Sequence, residues 1–427
     1  MTANPFLQHA RSSWSWLNGN LAWLLIAATL ALFATETLFN VTFWLMGFMG
    51  LYLSLKAPRT LWREPGLRHA GWLFLCVWVP QMLALPDAAN FGRSLETVAA
   101  YPHFFFAAVY VLHALQDRQT RERLNTAIAI IITFWIADAL LQYATGVNLL
   151  GYPYQPGQLT GMFYPKISLG HLLAVLAPVY FETVRQHSGN RPWLWLLAAL
   201  LLFAVVLLSG RRVAWLMAGI SFCGYLLYLY RIHALSLRAI TLVLATGVLG
   251  GGALLATNTI IAHRSATLLG LFSGNARAMD QATAHRLPLW GTALRIASNH
   301  WINGVGPRGF RYVFREYADP DNFYLRGGRD GQTHPHQLVL EVATETGGIG
   351  LIGLICFWWL FIAASWRRLR AAPPGAPWLI AVLVAWWPLN AHMAFYGSYW
   401  SSVSWWVLLP LLALPGTSPL PPPCARS

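Results

Sequence analysis

Two adjacent arginines stand where arginine is expensive. Arg211 and Arg212, in Ser209-Gly210-Arg211-Arg212-Val213-Ala214-Trp215, separate two long apolar runs with almost no loop to hold them. At a lipid boundary an arginine either snorkels to headgroup phosphates or meets another anion. Its fixed fork of donors matches phosphate or pyrophosphate, so a headgroup anchor and a substrate contact both stand. A second concentration is His334-Pro335-His336, followed by QLVLEVATETGG. Gln337, Glu341 and Glu345 recur every four residues and share one face of the helix predicted to begin there. His334 and His336 precede its first turn, where the positive helix end disfavours imidazolium. A neutral imidazole can take a proton from a hydroxyl nucleophile, which makes His336, and after it His334, candidate bases. A structural role at the helix start is the other reading. Metal ligation lacks a third ligand at suitable spacing.

Further candidates lie nearby. Ala284-His285-Arg286-Leu287-Pro288-Leu289-Trp290 opens an expected amphipathic helix over 286–298 at the membrane interface, with Arg286 a second phosphate contact. Arg295 follows, and Arg308 lies in Gly304-Val305-Gly306-Pro307-Arg308-Gly309-Phe310. That glycine run has neither the Lys-Ser/Thr of a P-loop nor a surrounding βαβ unit, and reads as a turn. Asp138 and Lys166 are ionisable groups in or beside apolar spans; function and structural pairing stand side by side for both. Glu341 and Glu345 fall one and two turns into an apolar run, which calls for a cavity or a partner such as arginine.

These residues must be positioned by membrane helices. Of 427 residues, 56% are hydrophobic and 10% charged, against about 25% charged in soluble domains. The expected class is an all-α polytopic membrane protein with about twelve spans: 16–35, 38–55, 70–86, 97–115, 125–144, 168–184, 193–209, 213–230, 239–257, 337–364, 376–394 and 399–414. Nine spans thus occupy 1–257 and three occupy 337–414, separated by a large loop over 258–336 and followed by a Pro-rich tail over 415–427. The run after Arg11 lacks a small-residue cleavage site and reads as the first span rather than a signal peptide. Alternate short connections hold sixteen Lys and Arg on one side against Arg93, Lys166, Arg211 and Arg212 on the other. The positive-inside rule then makes both termini cytoplasmic and turns the 258–336 loop outward. That loop carries nine arginines and five acidic residues.

The net charge of +14 is spread between apolar spans, which argues against nucleic acid and for membrane lipids or phosphorylated substrates. Cys76, Cys223, Cys356 and Cys424 are far apart and form no disulfide framework or metal pattern. The outer compartment has no ATP, so group transfer there needs a donor that arrives activated, such as a lipid-linked pyrophosphate sugar. One of the histidines would deprotonate an acceptor hydroxyl while Arg212, Arg211 and Arg286 hold the leaving pyrophosphate. A single displacement would invert the anomeric carbon.

SGRRVAW (Ser209–Trp215), HRLPLW (His285–Trp290), GVGPRGF (Gly304–Phe310) and HPHQLVLEVATETGG (His334–Gly348), in that order, resemble the bacterial O-antigen ligase family and its polymerase relatives. The resemblance places Arg212 and Arg286 at the family's arginines. It places His336-Gln337 at its His-Asn pair, with glutamine replacing asparagine. It implies a metal-independent inverting glycosyltransferase without a cofactor. Such an enzyme moves O-antigen polysaccharide from undecaprenyl pyrophosphate to lipid A–core oligosaccharide at the periplasmic face of a Gram-negative inner membrane. O-antigen polymerase, protein O-oligosaccharyltransferase and a lipid-linked glycan transporter are the rival readings. A transporter could use twelve spans and Asp138 for ion coupling, but no inverted repeat is evident.

Overall fold

The computed structural model describes residues 21–56, 64–191, 193–371, 375–388 and 393–414. The Pro-rich tail over 415–427 and the first residues of the 16–35 span lie outside the described residues. Among the latter, β pairing is limited to two isolated bridges, Val147 with Pro153 and Gln155 with Gln158. The helices in chain order begin with α1 (Leu21–Leu32), α2 (Leu38–Lys56), α3 (Pro65–Leu83), α4 (Phe91–Ala100), α5 (Pro102–Ala114) and α6 (Arg118–Thr145). Next come α7 (Leu169–His187), α8 (Trp193–Leu208), α9 (Arg212–Arg231) and α10 (Leu237–Thr257). The 258–336 segment holds α11 (Thr259–Ala266), α12 (Ala276–Ala282), α13 (Arg286–Asn299) and α14 (Phe310–Tyr317). The chain then returns through α15 (Leu338–Glu345), α16 (Gly347–Ala371), α17 (Ala376–Ala385) and α18 (Ser398–Ala413).

Among the described residues, five helical segments are long and apolar enough to cross a membrane: Leu38–Lys56, Phe91–Ala114, Arg118–Thr145, Arg212–Arg231 and Gly347–Ser365. This is an all-α, multi-pass membrane protein. Its outer surface says the same: on α16, Ile352, Ile355, Trp359 and Ile362 recur at helical spacing and are all more than half exposed. Such a stripe is stable against lipid, not water.

Boundaries differ from the sequence reading for local reasons. The 97–115 span begins at Phe91 and is interrupted at Tyr101, because Pro102 has no N–H to extend the ladder. The 125–144 span starts at Arg118, since the Asp117 carboxylate accepts the Thr120 N–H at 2.7 Å and caps the helix. Arg118, Arg121 and Arg123 therefore ride on the first helical turns. The 337–364 span is broken at Thr346 into α15 and α16, and α17 ends at Ala385, well short of 394.

The core centres on α7, in which every residue from Leu169 to Thr183 is buried, and on the equally buried α18. A buried charge on α7 is fully partnered. Glu182 accepts from Arg185, Gln186, Tyr225 and Tyr228, which ties α7 to α9. A separate small core of Leu289, Ala293, Ile296, Val305, Phe310 and Phe314 unites α13 with α14 in the 258–336 segment. It gives the candidate residues a rigid platform.

Candidate active site

Arg211 closes the three-residue turn Ser209–Arg211 between α8 and α9, which reverses at Gly210 with φ +69°, and Arg212 is the first residue of α9. The start of α7 packs on this turn, Gly170 lying directly against Ser209 and Ala214. The next residue, His171, is thereby buried beside Arg211 and Arg286. Arg264 of α11 comes from above and donates to the Gly210 carbonyl. Arg212 donates to Thr267 Oγ1 at 2.6 Å and to the Gln281 and Ala282 carbonyls at the end of α12. Arg211 Nε is buried with no hydrogen-bond partner among the described residues.

Four guanidinium groups therefore converge. Burial, and after it the Arg264 and Arg286 charges, pushes the Arg211 guanidinium below its ordinary pKa. Burial does the same to Arg286, against Tyr324 and with Arg212. None of the ion pairs among the described residues includes Arg211, Arg212, Arg264 or Arg286. Mutually repelling, half-buried cations without a carboxylate are an arrangement that a multiply charged anion would stabilise.

Helix α13 connects this cluster to the histidines. Arg286 and Trp290 are one turn apart on it, and the Trp290 indole N–H donates to the Pro335 carbonyl at 3.2 Å. Pro335 lies between His334 and His336, whose rings are 3.9 Å apart between centroids and tilted by 53°. His334 Nδ1 is 2.9 Å from Thr333 Oγ1. His336 is held at φ +54°, a left-handed conformation uncommon for a residue with a Cβ. Gln337 caps α15 by accepting the Leu340 N–H, and its amide donates to the Pro388 carbonyl at 3.1 Å. The glutamine thus fixes the histidine turn to the segment after α17.

The two glycine motifs explain the break after Glu345. Gly304 and Gly347 have φ +71° and +61°, and a Cβ on Gly304 would lie 2.4 Å from the Glu345 carbonyl carbon. The turns cross backbone to backbone, with Val305 N–H to Thr344 O at 2.9 Å and Gly348 N–H to Trp301 O at 2.7 Å. At this crossing Glu345 accepts the Arg308 backbone N–H at 2.6 Å, while Glu341 accepts those of Phe395 and Tyr396 at 2.9 and 3.1 Å. Both glutamates are fully buried. The expected arginine partner for Glu345 is real, but it is used through its main chain.

Three other expected residues have partners within the protein. Lys166 donates to the Thr35 and Glu36 carbonyls and lies over the Tyr399 ring. Asp138 accepts from Asn148 Nδ2 and Leu149 N–H, ordering the turn after α6. Arg295 joins the Tyr317 carbonyl and Asp319, tying α13 to the end of α14. An apolar groove of about 430 Å³, lined by Arg68, Gly71, Trp72, Phe74, Leu75 and Phe105, shares no residue with the cationic cluster.

Residues 197–355 match the family model described as O-antigen ligase. The chain contains an O-antigen ligase domain. No curated protein matches the chain in sequence. The ligase domain spans Arg211, Arg212, Arg264, Arg286, His334 and His336, together with α13, α14 and α15. It leaves out His171, Lys166 and Asp138. Arg264 and His171 are not marked out by the sequence. Arg264 is one of nine arginines in a long loop, and His171 lies inside an apolar run, in which a lone histidine is ordinarily a core residue.

Proposed function

We propose that the protein is an inverting glycosyltransferase that transfers polysaccharide from undecaprenyl pyrophosphate to a sugar hydroxyl of lipid A–core oligosaccharide. The observation that carries this reading is the convergence of Arg211, Arg212, Arg264 and Arg286 without an acidic partner, linked through α13 to the His334–His336 turn. His336 takes the proton of the acceptor hydroxyl as its oxygen bonds to the anomeric carbon. The bond from that carbon to the pyrophosphate oxygen breaks, and the guanidinium groups stabilise the charge that leaves with it. The reaction needs no metal or cofactor, because the donor is already activated and arginines replace a cation at the phosphates.

The positive-inside count supports twelve spans with cytoplasmic termini and this site at the periplasmic face of a Gram-negative inner membrane. Purified protein in proteoliposomes, given lipid-linked glycan and lipid A–core, tests the function. Covalent glycan–core product is the expected result. If labelled donor lipid crosses the bilayer and no such product forms, a transporter replaces the ligase. Lengthening of lipid-linked glycan instead would indicate a polymerase.

A further inference from the structure

Five non-glycine residues among those described adopt positive φ, and two of them are consecutive: Ala284 at +56° and His285 at +61°. They immediately precede Arg286. Left-handed backbone is disfavoured for L residues with a Cβ and persists only where the surroundings over-determine it. Here the surroundings are mainly one residue. Asp280 accepts the His285 backbone N–H at 2.8 Å through its carbonyl, and its Oδ2 lies 2.7 Å from His285 Nδ1. An ionised carboxylate only accepts, so the bonded Nδ1 carries the proton. The His285 ring stacks on Phe323, with centroids 3.9 Å apart and planes 12° from parallel. Tyr324, next in sequence, donates to the Ala284 carbonyl at 3.4 Å.

The same short segment holds Arg212 on its other side, because Gln281 and Ala282 supply the carbonyls that receive its guanidinium. Seven residues, Asp280 to Arg286, therefore run from the anchor of one candidate phosphate contact to the other. We infer that Asp280 and His285 are positioning residues that hold Arg286 at a fixed separation from Arg212, giving the donor pyrophosphate a preformed seat. The inference rests on reading Arg286 as a pyrophosphate contact. Neither residue is needed as a proton carrier, and both act through the start of α13. In an open outer loop a preorganised cation pair binds a diphosphate more tightly than two arginines on a relaxed turn.

Steady-state kinetics in proteoliposomes, with donor and acceptor varied separately, provide the test. His285→Ala and Asp280→Ala should raise the donor KM about tenfold and leave the acceptor KM unchanged. Asp280→Asn retains an oxygen that accepts from Nδ1–H, and His285→Asn tolerates left-handed backbone; both should restore most of the donor affinity. In Arg286→Ala the same Asp280→Ala change should add little, because the group being positioned is gone. Losses that multiply in the double variant would overturn the inference, as would a fall in kcat at unchanged donor KM. An unchanged donor KM in Arg286→Ala alone is a different failure, since it removes Arg286 from the donor site altogether.

Discussion

The Trp290 indole N–H donates to the Pro335 carbonyl at 3.2 Å, fastening the helix that begins with Arg286 to the turn between His334 and His336. This bond joins the proposed leaving-group site to the proposed base across 45 residues of sequence. Trp290→Phe keeps the ring and removes the donor. A net hydrogen bond is worth about 1 kcal/mol, so kcat should fall about fivefold while donor affinity is retained. Initial rates at saturating donor measure it, and an unchanged kcat would mean the two sites are aligned by other contacts.

Arg212 and Arg286 should behave differently when removed. Arg212 already satisfies two carbonyls and Thr267 Oγ1, whereas Arg286 lies among cations with no ion-pair partner. Arg212→Ala should weaken donor binding and also lower the melting temperature by loosening α12. Arg286→Ala should weaken donor binding by about tenfold or more, as expected for charge-assisted hydrogen bonds, with melting unchanged. Donor titration and thermal denaturation on the same samples separate the two effects.

Loss of a general base costs about 10²- to 10⁴-fold in rate. His336→Ala should show that loss in single-turnover transfer and bind donor normally. His334→Ala should lose less, because its Nδ1 is engaged with Thr333 Oγ1. Equal activity of His336→Ala and the unsubstituted protein would move the base elsewhere.

Glu345 is bonded to main chain rather than to an arginine side chain. Its carboxylate receives the Arg308 N–H at the crossing of the Gly304 and Gly347 turns and is fully buried. Glu345→Ala strands that donor and should destabilise the protein by about 1–3 kcal/mol. Glu345→Gln keeps an accepting oxygen and should lose clearly less. Thermal or denaturant unfolding in detergent compares them, and equal losses would show that the bond to Arg308 is not what the carboxylate supplies.

Composition and charge order were sufficient to read a multi-pass all-helical membrane chain, because the bilayer requires long apolar helices and spans announce themselves locally. Arg211 and Arg212, between apolar runs, and Arg286, His334 and His336, in the long segment after them, stood out in the sequence as candidates. Their grouping did not. Arg264 is indistinguishable in sequence from the other loop arginines, and only the packing of α11 over Gly210 brings it to the cluster. His171 gains meaning only where Gly170 seats α7 on Ser209 and Ala214.

The reverse holds for Lys166, Asp138 and Arg295. Sequence marks Lys166 and Asp138 as costly charges and Arg295 as one more loop arginine, and the tertiary structure gives all three partners among main-chain carbonyls, amides and one carboxylate. Which helix α16 is, and where it starts, was likewise a tertiary decision. The ETGG segment reads as uninterrupted apolar helix until the Gly304 turn crosses it and forces Gly347 into left-handed backbone. Hydrophobicity along the chain determined what lies in the membrane. Contacts between distant segments decided which of its few charges face one another, because electrostatic pairing depends on separation in space and carries no signature in sequence.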